Sequence, residues 1–298
     1  MRKPSTAHSG SKTSILANDT AWHTIHRLNI KTTNVILLSF DTEEFDVPRE
    51  NNVPYTLEEG MKVSIYGTNR ILDILKANQV RATFFCTANF ANNAPEVIQR
   101  IVEEGHEVAC HGVDHWEPKD TDPAISKQEN ERISGVTCHG YRQPRMYAVS
   151  DEEIKRCGYI YNSSINPAFI PGHYMHLDLP RTAFMRDGVL QIPASVTPII
   201  RFPMFWLALH NLPQWLYHLF VSWILRTDGY FTTYFHPWEF YHLKQHPEFR
   251  TKWIVRHNSG NALAQRLDCL IRHFKAKGQE FITYTEFTQR YKAEHAIS

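Results

Sequence analysis

Short apolar runs that end abruptly in charged or polar residues mark the first half of the chain. Val35-Ile36-Leu37-Leu38-Ser39-Phe40 is continuous, partly β-branched and too short for a helix, so it predicts a buried strand. It runs directly into the acidic cluster Asp41-Thr42-Glu43-Glu44-Phe45-Asp46. Arg81–Cys86 repeats the pattern, and Glu107–Cys110 repeats it again before His111-Gly112-Val113-Asp114-His115. Between these runs the apolar period lengthens. Over 58–78, Ile65, Ile71, Leu72, Ile74 and Leu75 recur at near-helical spacing. Over 95–104, Val97, Ile98, Ile101 and Val102 share one helical face, with Pro95 at the start and Gly105 as terminator. Strand, helix, strand, helix, strand predicts parallel pairing and an α/β fold. Later strands are expected at 135–141, 159–162, 189–192, 229–235 and 281–285, and later helices at 151–157 and 262–277. No internal repeat, low-complexity stretch or linker is evident. The expected organisation is a flexible N-terminal arm over 1–33 and a single domain over 34–298.

Composition narrows the function classes. The chain has 298 residues, 42% hydrophobic and 21% charged, which excludes a disordered, collagenous or coiled-coil protein. Its 32 basic and 31 acidic residues nearly cancel, so no dedicated nucleic-acid surface is expected. Five cysteines, an odd and dispersed set without a C-x-x-C pair, argue against a disulfide scaffold and suit a reducing compartment. Residues 1–24 lack the apolar core of an export signal, and a cytoplasmic location is expected. The stretch 199–225 is strongly apolar and aromatic but broken by Arg201, Pro203, His210, Asn211, Pro213 and His218, a poor match to a spanning helix. One or two helices packed on the barrel is the favoured reading. The other is a surface helix at the inner membrane face, with Phe205, Trp206, Trp215, Leu219 and Trp223 as contacts to a membrane or a lipid-linked substrate.

The candidate chemistry sits where predicted strands end. His111 and His115, four apart in a tight segment, can point the same way, and neutral imidazole is the commonest metal ligand. Asp41 and Glu43 are spaced to share a strand face. One of these carboxylates can complete a two-histidine, one-carboxylate metal site, and the other can act as a general base; the residues alone leave the choice open. Arg142, in Gly140-Tyr141-Arg142-Gln143-Pro144, can orient a carboxylate through a charge-assisted bond. His236, in Tyr234-Phe235-His236-Pro237-Trp238-Glu239, is a candidate general acid. Tyr141, Trp116 and Trp238 are candidate platforms for sugar rings.

Taken in order, SFDTEEFD, CHGVDH, YRQP, YNSS and YFHPWE resemble the motifs of the polysaccharide deacetylase family, the carbohydrate esterases with a NodB-homology domain. The likeness runs from about Val35 to Thr285 and is nearest to the exopolysaccharide and peptidoglycan-type subset. It implies an irregular (β/α) barrel holding a divalent metal, usually zinc. It also implies Asp41 as base, Glu43, His111 and His115 as metal ligands, Arg142 as orienter of the base and His236 as acid. The implied substrate is an N-acetylated glycan or glycolipid. Two positions depart from the family pattern: Thr42 separates two acids that are commonly adjacent, and Asn162 stands where aspartate is frequent. The rival expectations are a metal-independent amidohydrolase of small cyclic amides or ureides on the same fold, and an inactive glycan-binding descendant.

Overall fold

The computed structural model describes residues 34–170, 174–175 and 177–296, and the expected arm over 1–33 lies outside the described residues. In chain order the first elements are β1 (Val35–Thr42), α1 (Val47–Glu50), α2 (Leu57–Asn78), β2 (Thr83–Cys86), α3 (Ala88–Asn93), α4 (Pro95–Glu103), β3 (Glu107–Cys110), α5 (Asp122–Ser134), β4 (Gly140–Tyr141), α6 (Asp151–Arg156) and β5 (Tyr161–Asn162). They are followed by β6 (Phe169–Ile170), β7 (Tyr174–Met175), β8 (Phe184–Arg186), β9 (Val189–Gln191), α7 (Trp206–Asn211), α8 (Gln214–Asp228), β10 (Tyr230–Phe235), α9 (Trp253–Arg256), α10 (Asn261–Lys275), β11 (Glu280–Phe281) and α11 (Tyr284–Glu294).

The main sheet has the order β10-β1-β2-β3-β4-β5-β9-β8. Every pair is parallel except β8 with β9, and β11 pairs with the start of β1 below β2. The curved sheet is an irregular (β/α) barrel in one α/β domain. Its gap is bridged by a loop rather than a ladder: Ser195 N donates to the Thr232 carbonyl at 3.3 Å, and Thr232 N donates to Ser195 Oγ at 3.0 Å. Parallel pairing brings the carboxyl ends of β1, β2, β3, β4 and β10 to one rim, where α/β barrels gather their chemistry.

Apolar burial explains the frame. All eight residues of β1 are buried, as a continuous apolar strand covered on both faces requires. Ile71, Leu72 and Leu75 from α2, Val97, Ile98 and Ile101 from α4, and Leu267 and Ile271 from α10 share one core with Phe40, Phe84 and Phe235. Each such side chain contributes about 1.5–3 kcal/mol on burial. Helix α2 starts at a capping box between Thr56 and Glu59. Its Gly67 permits a close approach, since a Cβ there would lie 1.8 Å from the Pro237 carbonyl oxygen.

The structure corrects several boundaries. The strand expected at 135–141 is only Gly140–Tyr141, because the preceding residues end α5, whose left-handed cap is Gly135. Periodicity missed α5 because much of its inward face is polar: Ser126, Asn130 and Ser134 are buried, and Asn130 Nδ2 donates to the Cys86 carbonyl at 3.1 Å. The strand expected at 281–285 gives way at Tyr284 to α11, started by a Thr283–Glu286 capping box. The apolar stretch 199–225 contains two helices, α7 and most of α8, separated at Leu212-Pro213.

Candidate active site

The carboxyl end of β1 and the residue just beyond it carry two buried carboxylates, Asp41 and Glu43, that face different partners. Asp41 Oδ1 accepts from Arg142 Nη1. Arg142 is almost fully buried, and the rest of its guanidinium is committed: Nη1 donates to Ser39 Oγ at 3.0 Å, Nη2 to Ser163 Oγ at 3.0 Å and Tyr284 Oη at 3.1 Å, and Nε to the Ser163 carbonyl at 3.2 Å. Its flat face lies 3.9 Å from the centroid of the Phe85 ring. Burial by itself pushes the Asp41 carboxyl up. Arg142 opposes it, and with His111 and His236 holds that carboxyl below its ordinary value.

Glu43 turns to the histidines instead. Its Oε1 accepts from Trp238 Nε1 at 3.2 Å, while Oε2 lies 3.3 Å from His111 Nε2 and 3.4 Å from His115 Nε2. Both rings are fixed from behind: His111 Nδ1 donates to the Arg142 carbonyl at 2.8 Å, and His115 Nδ1 to Asp46 Oδ2 at 2.9 Å. Since a carbonyl only accepts, the neutral His111 ring carries its proton on Nδ1 and presents the Nε2 lone pair to Glu43. Burial, the largest influence, lowers the His111 pKa and favours that neutral form. Burial also drives Glu43 well above the usual carboxylate range, with Asp46 and Asp41 adding to the effect and His115 opposing it. The His115 pKa is raised because Glu43 and Asp46 outweigh its burial.

Glu43 Oε2 is therefore a buried oxygen without a hydrogen-bond partner, flanked by two imidazole nitrogens. A cation satisfies such an arrangement. Tetrahedral zinc with bonds of about 2.05 Å sets its ligands ~3.3 Å apart, which fits both observed edges. The rings stand 6.2 Å apart between centroids, and among the described residues no group of three or more such side chains is gathered closely enough to hold an ion as it stands. The donor chemistry of the trio suits a metal, and the backing of its histidines by a carbonyl and a carboxylate is the usual support of metal-ligating imidazoles. Segment 111–115 is a loop, not a helix, yet its imidazoles converge on one oxygen.

His236 follows β10 and is held by its own turn. Its Nδ1 lies 2.7 Å from Glu239 Oε1, which also accepts from the His236 backbone N at 2.6 Å. Glu239 Oε2 lies 2.9 Å from Nε2 of the fully buried His210. Burial pushes Glu239 up to about 7 and His210 down to about 3. The His236 ring stacks on Trp238 at 4.9 Å and meets the edge of Trp206 at 5.4 Å.

All six residues expected to form the site — Asp41, Glu43, His111, His115, Arg142 and His236 — reach this rim. Tyr141 is fully buried, its hydroxyl donating to Gln143 Oε1, and offers no sugar platform. Trp238 forms the wall between Glu43 and His236, while Trp116 lines a neighbouring cavity of about 320 Å³ with Glu44, Asp46, Arg49, Tyr55 and Asp114. Arg49 lies 4.1 Å and Arg145 5.3 Å from the Trp116 ring. Arg145 and Met146 both adopt left-handed backbone (φ 58° and 53°), and Arg145 reaches Glu50 at 2.8 Å, the His115 carbonyl at 3.3 Å and Asp46 at 3.4 Å. Sequence reasoning passed over Glu239, His210, Asp46, Ser39, Ser163 and Tyr284. The i,i+3 spacing of His236 and Glu239 is a readable signal for one of them; nothing local marks Tyr284. Asn162, the departure noted above, donates to Gln191 at 3.0 Å and accepts from Ser164 Oγ at 2.5 Å, away from Arg142.

Residues 31–157 match the family model described as polysaccharide deacetylase. It is 38% identical over 79 residues to a chitooligosaccharide deacetylase of Bradyrhizobium, covering 26% of this chain and 35% of that protein. It is 27% identical over 141 residues to the peptidoglycan-N-acetylmuramic acid deacetylase PdaA of Bacillus subtilis, covering 43% and 52%. The matches span between about a third and about half of these relatives' length. The fold is shared more widely: a crystal structure from Mycobacterium smegmatis assigned to the polysaccharide deacetylases superposes with a TM-score of 0.60 at 18% identity, covering 88% of this chain and 91% of that one.

Proposed function

We propose that the protein is a metal-dependent hydrolase that removes N-acetyl groups from the amino sugars of a polysaccharide, peptidoglycan or lipid-linked glycan. One observation carries the reading: the partnerless Glu43 Oε2 beside two imidazole nitrogens, each within 3.4 Å and each backed through Nδ1. Glu43, His111 and His115 would hold the metal, most simply zinc, which when bound supplies a Lewis acid to polarise the acetyl carbonyl and acidify water. Asp41 takes a proton from the attacking water. Arg142 fixes the direction of that carboxylate and keeps it ionised in a buried setting. His236 delivers a proton to the departing amine as the C–N bond breaks, so that acetate and a free amino sugar result. Glu239 holds the His236 ring through Nδ1. Trp116 offers a face to a sugar ring at the edge of the cavity.

The test is metal content together with acetate release across a panel of N-acetylated glycans. Turnover that follows bound metal, and is lost with a chelator, supports the reading. Full turnover on small cyclic amides in the metal-stripped protein overturns it.

A further inference from the structure

The most exposed large apolar side chains among the described residues fall in the connections that lead into and out of β10. They are Ile199 (87% exposed), Trp215 (68%), Trp253 (67%), Ile200 (58%) and Leu219 (56%). Topology places them together. Ile199 and Ile200 lie in the connection leaving the carboxyl end of β9. Trp215 and Leu219 lie one helical turn apart near the start of α8, which runs down to the beginning of β10. Trp253 begins α9, in the connection leaving the carboxyl end of β10. Contacts join the pieces: Phe202 and Phe220 pack at 5.9 Å between the 199–202 loop and α8, and Asn211 Nδ2 donates to the Ile254 carbonyl at 3.2 Å between α7 and α9. Of the five residues expected to make contacts from the sequence, Phe205 is buried and Trp206 and Trp223 are half-buried, which leaves Trp215 and Leu219 as the outward pair.

Charge selects the occupant. The chain has 31 acidic residues, yet none lies in 188–227 or 249–267, the two stretches that supply this face. The second contains Arg250, Lys252 and Arg256 around Trp253. Glu248, exposed beside Arg250, and Asp178, close enough to act on Arg201, stand at its margin. Arg250, Lys252 and Arg256 outnumber the acid beside Trp253, and an exposed apolar surface with such an excess of bases complements anionic lipid. It does not complement itself, because a symmetric pairing of two copies would set bases against bases. No described helix is long and apolar enough to cross a membrane, so the contact is peripheral.

We propose that this face seats the protein on an anionic lipid surface, with the indoles and aliphatic side chains entering the headgroup layer and Arg250, Lys252 and Arg256 facing acidic headgroups. The inference goes beyond the proposed activity and does not require it. The experiment is co-sedimentation of the full chain, in chelator, with vesicles of phosphatidylcholine alone or mixed with phosphatidylglycerol. The mixed vesicles should bind the protein, and high salt should weaken the binding. Trp215→Ser with Leu219→Ser, and separately Trp253→Ser, should lower the bound fraction by about tenfold without changing the melting temperature. Lys252→Glu with Arg256→Glu should abolish the preference for anionic vesicles, and Ile125→Ser on α5 should leave binding as it was. Absence of binding to mixed vesicles, or equal binding by the Trp215 and Trp253 variants, overturns the proposal. So does a self-association, seen by sedimentation velocity, that the same variants remove while no vesicle binds.

Discussion

Asp41 and Glu43 stand two residues apart at the end of β1, both buried, yet their surroundings push their carboxyls in opposite directions. Around Asp41 the protein supplies its own countercharge: Arg142, gripped by Ser39, Ser163 and Tyr284, holds the carboxyl below its ordinary value. Around Glu43 the neighbours are imidazoles and two more carboxylates, and burial drives the carboxyl up. The first nest is electrically complete. The second is completed by a proton or a cation at Glu43 Oε2. The proposed hydrolysis needs both kinds, an ionised base and a donor set that takes a metal, and the two side chains point to different partners.

Substitutions can break that division, beginning with the largest effect. His111→Ala removes an imidazole from the Glu43 nest. Bound metal and acetate release should fall together, the latter by at least about a thousandfold, as expected when several kcal/mol of Lewis-acid stabilisation disappear. Full metal occupancy in this variant would sink the assignment. Asp41→Asn touches only the other nest, so metal content should persist while kcat falls by about 10²–10⁴. Glu239→Gln loosens the hold on His236 and should cost about tenfold to a hundredfold in kcat with metal retained, read from steady-state kinetics. Gly67→Ala drives a Cβ into the Pro237 backbone beside Trp238, which donates to Glu43 but not to Asp41. It should destabilise the fold by about 1–3 kcal/mol in denaturant melts.

The smallest effect sharpens the comparison through pH. Glu43 has a raised pKa in the folded protein, so between the unfolded carboxyl value and that raised value the folded state binds the extra proton. Stability without metal should therefore fall as pH rises through this window. Glu43→Gln, in chelator, should melt at a higher temperature than the unaltered protein at neutral pH, with the difference fading under acid. Asp41 has the opposite sign: its contribution is present above the unfolded pKa and is lost as pH falls through the depressed one. Asp41→Asn should therefore melt below the unaltered protein at neutral pH, with the difference fading under acid.

The frame of the molecule was legible where local and global signals agree. Val35–Phe40 reads as a buried strand because it is one, and Thr56 with Glu59 begins a helix that apolar spacing also marks. Helix α5 escaped because it buries serine and asparagine against strand carbonyls, a polar packing that leaves no apolar period. The six candidate site residues were legible because each sits at or just beyond a strand end in a dense polar cluster. Their supports were not. Tyr284 reaches Arg142 from the start of the last helix, 142 residues away in sequence, and His210 reaches Glu239 from the middle of an apolar stretch. Such partners are set by the closing of the barrel, and no local pattern encodes them. The same stretch faces two ways: Tyr217, Val221 and Ile224 face the core, while Trp215 and Leu219 face outward.

Calorimetric titration of Zn²⁺ into the metal-stripped protein, its Asp41→Asn variant and its Glu43→Gln variant tests the division most directly. The account predicts one bound equivalent in the unaltered protein and in Asp41→Asn, with binding lost or greatly weakened in Glu43→Gln. An Asp41→Asn protein that cannot bind zinc, beside a Glu43→Gln protein that still does, would contradict it and exchange the roles of the two carboxylates.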